Sequence, residues 1–148
     1  MSRRHWLYIL PNLFTLSSLY CGLLAILWSS NAEGDPRAFF RAAVAVFFAG
    51  LFDMMDGRVA RLTRTQSDIG LQLDSLADVV SFGVAPAVLV YHWGLSEVMV
   101  GSFDLGFFLC FAYAATGALR LARFNVLAMR KPAAASKFFV GLPIPAAA

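Results

Sequence analysis

The chain has 148 residues, of which 59% are hydrophobic and 14% charged, with a formal net charge of +3. That balance excludes an ordinary soluble domain and points to an integral membrane protein. Cys21 and Cys110 both sit in apolar stretches, which argues against a disulfide framework.

The first apolar run, about Leu7–Trp28, follows Arg3 and Arg4. It is too long for the core of a signal peptide, and no small-residue cleavage site closes it. The connection SSNAEGDPR is rich in turn residues, and Pro36 suits the opening turn of the helix that follows. Further apolar runs cover about Phe39–Ala60, Leu71–Trp93 and Phe103–Leu121. Each reaches the roughly 20 residues a membrane crossing needs. Trp6, Trp28 and Trp93 fall near span ends, where interfacial anchors collect. Arg58, Arg61 and Arg64 mark the second connection, while the third, around Gly94 to Ser102, carries Glu97 and no Lys or Arg. Arg120, Arg123, Arg130, Lys131 and Lys137 gather at and after the end of the fourth span. The positive-inside bias then places the N-terminus, the second connection and the segment after Leu121 in the cytoplasm. A last apolar segment, FFVGLPIPAAA, is too short to span and reads as the start of a fifth helix. The expected fold is therefore all-α, a polytopic transmembrane helical bundle. The expected organisation is one transmembrane domain over residues 1–148, truncated at its C-terminal end.

Four of the nine acidic residues lie between Asp53 and Asp78, in the run DMMDGRVARLTRTQSDIGLQLDSLAD. Asp53 and Asp56 are three apart, and Asp74 and Asp78 are four apart, so each pair shares a helix face. Joined through the polar stretch Arg61 to Ser67, two such helices can aim four carboxylates into one volume. Mutual repulsion opposes this unless a cation sits among them or some carboxyls stay protonated, and hard oxygen ligands suit Mg²⁺, Mn²⁺ or Ca²⁺. Gly57 and Ala60 share the face of Asp53, and Gly70 precedes Asp74 by one turn. Small residues there serve either close helix packing or clearance for a ligand. Asp68 lies where a helix start is expected. A different class of reading, a cation transporter, needs ligands across the whole bilayer, and these four all fall near one face.

The spacing Asp53-x2-Asp56-Gly57-x2-Ala60-Arg61-x8-Gly70-x3-Asp74-x3-Asp78 resembles the full signature of the CDP-alcohol phosphotransferase family. The resemblance implies transfer of a phosphate-linked group from a CDP-alcohol to an acceptor hydroxyl, releasing CMP. It implies two divalent metals, Mg²⁺ or Mn²⁺, on Asp53, Asp56 and Asp74, with Asp78 as general base and possible further metal ligand. It places Gly57, Ala60, Arg61 and Gly70 along the CDP moiety, and six helices and a homodimer are usual in the family. The blocks Pro11–Gly22, Leu73–Ala87, Leu119–Asn125 and Gly141–Ala148 are most similar to the bacterial membrane-embedded members that act on CDP-diacylglycerol with L-serine as acceptor. Members that use a phosphorylated acceptor, glycerol 3-phosphate or inositol phosphate, share the signature and remain the alternative.

Asn12 and Thr15 are read either as helix-entry caps or as CDP contacts. Arg120 and Arg123 are read either as headgroup anchors or as ligands of an acceptor carboxylate or diphosphate. Ser81 and Asn125 are further acceptor candidates, although Ser81-Phe82-Gly83 before Pro86 also reads as an irregular section of the third span. The positive-inside bias puts the four aspartates at the cytoplasmic ends of the second and third spans, and with the resemblance the expected setting is the bacterial inner membrane, with lipid surroundings and no nucleic-acid partner.

Overall fold

The computed structural model describes the backbone of residues 3–63 and 68–130, with side chains over 12–59 and 69–127. Helices α1 (Arg3–Ser30) and α2 (Pro36–Thr63) come first. A third span follows as α3 (Asp68–Asp78), a π-helical section (Val79–Val84), α4 (Ala85–Val90) and a second π-helical section (Tyr91–Leu95). A two-residue-per-strand hairpin, β1 (Met99–Val100) and β2 (Phe103–Asp104), leads into α5 (Leu105–Arg130). Among the described residues, four helical stretches are long and apolar enough to cross a bilayer: Asn12–Ser30, Pro36–Val59, Ile69–Leu95 and Leu105–Leu127. Their outward faces carry large apolar side chains, such as Phe40 and Phe47, each 71% exposed, as a lipid-facing surface requires. The expected helical bundle is what forms. The segment expected to begin a fifth span lies outside the described residues.

The α1–α2 pair explains the core. Thr15, Ser18, Gly22, Ala25 and Ser29 repeat at alternating steps of three and four, and all are buried. Ala42, Ala45, Ala49 and Asp56 keep the same rhythm on α2 and are buried too. Thr15 meets Asp56 at one end, while Ala25 clusters with Ala42 and Ala45 toward the other, so the helices run antiparallel. Lipid tails are as apolar as leucine, so close backbone approach along small residues, rather than bulky packing, holds such a seam together. Asp35 caps α2 through its side chain, which accepts from the Arg37 N–H at 3.0 Å, and Pro36 opens the helix as expected.

The third span lies against this pair. Its π-helical turn buries Ser81, Phe82 and Gly83 in succession, and Ala85, Pro86 and Ala87 are buried after it. Pro86 has no N–H to offer the carbonyl four residues earlier, and the Tyr113 hydroxyl donates to that carbonyl, on Phe82, at 3.0 Å. Gly22 permits a close approach of α1 to this turn. A Cβ at that position would stand 2.7 Å from Ser81 Oγ and 2.9 Å from Ser81 Cα. Gly22→Ala should therefore push α1 off the π-helical turn and destabilise the protein by about 1–3 kcal/mol. A lower midpoint of thermal unfolding in detergent checks this, and an unchanged midpoint contradicts it.

The irregular section expected at Ser81-Phe82-Gly83 before Pro86 forms as the π-helical turn Val79–Val84. Two expectations shift. Arg61 belongs to α2, not to the connection, because the helix runs on to Thr63. Phe103 and Asp104 pair as strand before α5 begins, with Gly101 at φ 62° opening the two-residue turn. Asp104 then caps α5 by accepting from the Phe107 N–H at 2.7 Å and also accepts from the Tyr91 hydroxyl at 2.7 Å. These two donors, the backbone one foremost, hold its carboxyl below the usual range.

Candidate functional site

The end of the bundle built from the N-terminal part of α1, the C-terminal part of α2 and α3 carries the four aspartates. Asp53 and Asp56 stand one turn apart on α2, and Asp74 and Asp78 one turn apart on α3. Asp53, Asp56 and Asp74 each present a carboxylate oxygen, and these oxygens all lie within 4.8 Å of one another. Asp78 lies within hydrogen-bonding reach of Asp53. Asp56 is 5% exposed, and its Oδ2 accepts from the Thr15 hydroxyl at 2.7 Å, which fixes the carboxylate's rotamer from the facing helix.

Bare carboxylates do not gather like this without cost. Two full charges 4.8 Å apart repel by about 3 kcal/mol at an effective dielectric of ~20. Oδ1 of Asp74 and Oδ1 of Asp78 are moreover buried with no hydrogen-bond partner among the described residues. Buried carboxylate oxygens are ordinarily satisfied. Converging oxygens of Asp53, Asp56 and Asp74, with buried oxygens of Asp74 and Asp78 lacking a hydrogen-bond partner among the described residues, make a donor set that suits a hard divalent cation, so the residues present fit a metal.

Other expected site residues are placed as follows. Asn12 and Thr15 lie on α1 at this end, half-buried and buried respectively. Gly57 and Gly70 are half-buried on α2 and α3. Ala60 and Arg61 fall in the final turns of α2, and their side chains lie outside the described residues. On α5, Arg120 is half-buried and Arg123 exposed. Asn125 Nδ2 donates to Ser75 Oγ at 2.7 Å. Ser81, expected among the acceptor contacts, is fully buried and donates to the Ser18 carbonyl at 3.1 Å, so its hydroxyl is engaged in packing α1. Ser75 escaped the sequence reading, since a serine beside an aspartate carries no signal until α5 is brought against α3. A groove of about 370 Å³ on the lipid-facing side of α1 and α2, between Trp28, Arg41 and Phe52, holds none of the carboxylates.

Fold and site together define a polytopic helical membrane protein with a cluster of carboxylates at one end of its bundle that could hold a metal ion. The sequence pattern of the CDP-alcohol phosphatidyltransferase family matches residues 8–148, and the chain belongs to that family. It is 42% identical over 143 residues to the CDP-diacylglycerol–serine O-phosphatidyltransferase of Helicobacter pylori strain J99, covering 96% of this chain and 55% of that protein. A protein of the same name from Mycobacterium tuberculosis is 41% identical over 144 residues, which cover 96% of this chain and 47% of the relative. One from Methanocaldococcus jannaschii is 43% identical over 134 residues, with 90% and 54% covered. The chain spans about half the length of the curated relatives it matches.

Proposed function

We propose that this chain carries the catalytic site of a CDP-diacylglycerol–serine O-phosphatidyltransferase, which moves the phosphatidyl group to the L-serine hydroxyl and releases CMP. The observation that carries the reading is the convergence of Asp53, Asp56 and Asp74 within 4.8 Å, with Asp78 beside them. The relatives' shared name supports serine as the acceptor.

Asp53, Asp56 and Asp74 hold the cation site, two Mg²⁺ or Mn²⁺ ions by the family resemblance. Divalent cations held there would neutralise the diphosphate and stabilise charge on the departing CMP oxygen. Thr15 keeps Asp56 turned into the site. Asn12, Gly57, Ala60, Arg61 and Gly70 line the nucleotide. Asp78 accepts the proton of the serine hydroxyl as that oxygen bonds to the phosphatidyl phosphorus, and the bond from phosphorus to the CMP oxygen breaks. Arg120 and Arg123 offer planar guanidinium groups that match a carboxylate or a diphosphate in two-point contact. The site opens to the cytoplasm, where serine is dissolved and where the basic ends of the spans lie. The resemblance adds a homodimer.

The test is CMP release from CDP-diacylglycerol in detergent with Mn²⁺, comparing L-serine, glycerol 3-phosphate and inositol phosphate. Release that depends on serine supports the reading. Release with a phosphorylated acceptor instead keeps the family chemistry and overturns the serine assignment.

A further inference from the structure

Helix α5 is the least embedded of the four spans: 6% of its most apolar stretch is buried, against 39% for the third span. Among the described residues little side-chain packing fixes its position, so its polar ties weigh more there. These ties occur at successive depths. At the hairpin end Tyr91 donates to Asp104, midway Tyr113 donates to the Phe82 carbonyl, and near the carboxylates Asn125 donates to Ser75. The last tie sits one residue from Asp74 and one turn before Asp78 on α3.

Its chemistry is directional. The Ser75 hydroxyl gives its proton to the Leu71 carbonyl at 3.0 Å, so its oxygen is left to accept, and the Asn125 amide supplies the N–H at 2.7 Å. Side-chain hydrogen bonds of this kind join neighbouring helices in membrane proteins. From this geometry we infer that Asn125 is a positioning residue. It acts through Ser75, as a latch that sets the separation of α5 from the metal-bearing helix α3 at the mouth of the site. Asn125 then governs acceptor binding without contacting the acceptor itself. Arg120 and Arg123, on the same stretch of α5, are held at their distance from the aspartates by it. Only the kinetic consequence rests on the proposed reaction; the latch itself does not.

Spin labels at Leu71 and Leu127, both exposed positions on α3 and α5, report the separation by electron–electron dipolar spectroscopy in nanodiscs, with Cys21 and Cys110 replaced by alanine. Ser75→Ala and Asn125→Ala should each lengthen and broaden the distance distribution, and Ser75→Thr, which keeps the hydroxyl, should restore it. In CMP release without the labels, each alanine variant should raise the serine KM roughly tenfold, with the CDP-diacylglycerol KM changed less than about twofold. The double variant should be no worse than either single one, because both break one bond. Unchanged distances in the alanine variants overturn the latch. Additive KM effects overturn it too, since they assign Asn125 a contact of its own with the acceptor. Wild-type protein that releases no CMP with serine overturns the proposed reaction and leaves the distance measurement to decide the latch.

Discussion

Asp78→Asn will lower kcat for CMP release by about 10²–10⁴-fold, the range ascribed to a general base, while Mn²⁺ still binds. The amide has nearly the shape of the carboxylate, so the α3 backbone and its packing on α1 are preserved. It cannot accept the serine proton, so the attacking oxygen must form its bond to phosphorus while still protonated. Asp53, Asp56 and Asp74 keep their oxygens within 4.8 Å and keep the cation site. Single-turnover CMP release and a Mn²⁺ titration followed by electron paramagnetic resonance separate the two roles. A variant that loses Mn²⁺ binding and activity together assigns Asp78 to the metal rather than to the proton.

Asp74→Ala should act through the other role. One of three converging oxygens is lost, and with it the only ligand of the trio that α3 supplies. Activity should fall below detection at millimolar Mg²⁺. Thermal unfolding gives the sharper signature. A metal that binds the folded state raises its stability by about 2.7 kcal/mol at a hundred times its Kd, so the wild-type midpoint should climb with added Mn²⁺. The variant should show no such climb. With chelator present its midpoint should equal or exceed that of the wild type, because removing one of three crowded carboxylates relieves repulsion of about 3 kcal/mol per pair at an effective dielectric of ~20. A variant less stable than wild type in chelator, yet still stabilised by Mn²⁺, contradicts the assignment of Asp74 to the metal.

Much of this architecture is legible before any coordinates, and the reason is the membrane. A bilayer leaves few options for apolar stretches of 20 residues, so span count and helical class follow from hydropathy alone. Aspartates at i,i+3 and i,i+4 fix which faces carry charge, though not that the two faces meet. That meeting depends on the seam Thr15–Ser18–Gly22–Ala25–Ser29 against Ala42–Ala45–Ala49–Asp56, whose rhythm is visible in the sequence once it is looked for. Ser81 reads as an acceptor candidate because it lies three residues after Asp78, on the same side of the helix; only the packing of the π-helical turn on α1 reveals that its hydroxyl is engaged by the Ser18 carbonyl. The Ser75–Asn125 contact is invisible in one dimension, since it joins residues 50 apart. The hairpin at Met99–Asp104 is similarly hidden, being only two residues per strand with a single glycine turn to announce it.

The most direct test of the central claim follows radiolabelled L-serine into chloroform-extractable lipid. Protein in CDP-diacylglycerol micelles is stripped with chelator and then titrated with Mn²⁺. The account predicts no labelled lipid in chelator and metal-dependent labelling matched mole for mole by CMP. Labelled lipid that forms equally well in excess chelator would mean that the aspartates of α2 and α3 are not a metal-dependent transfer site.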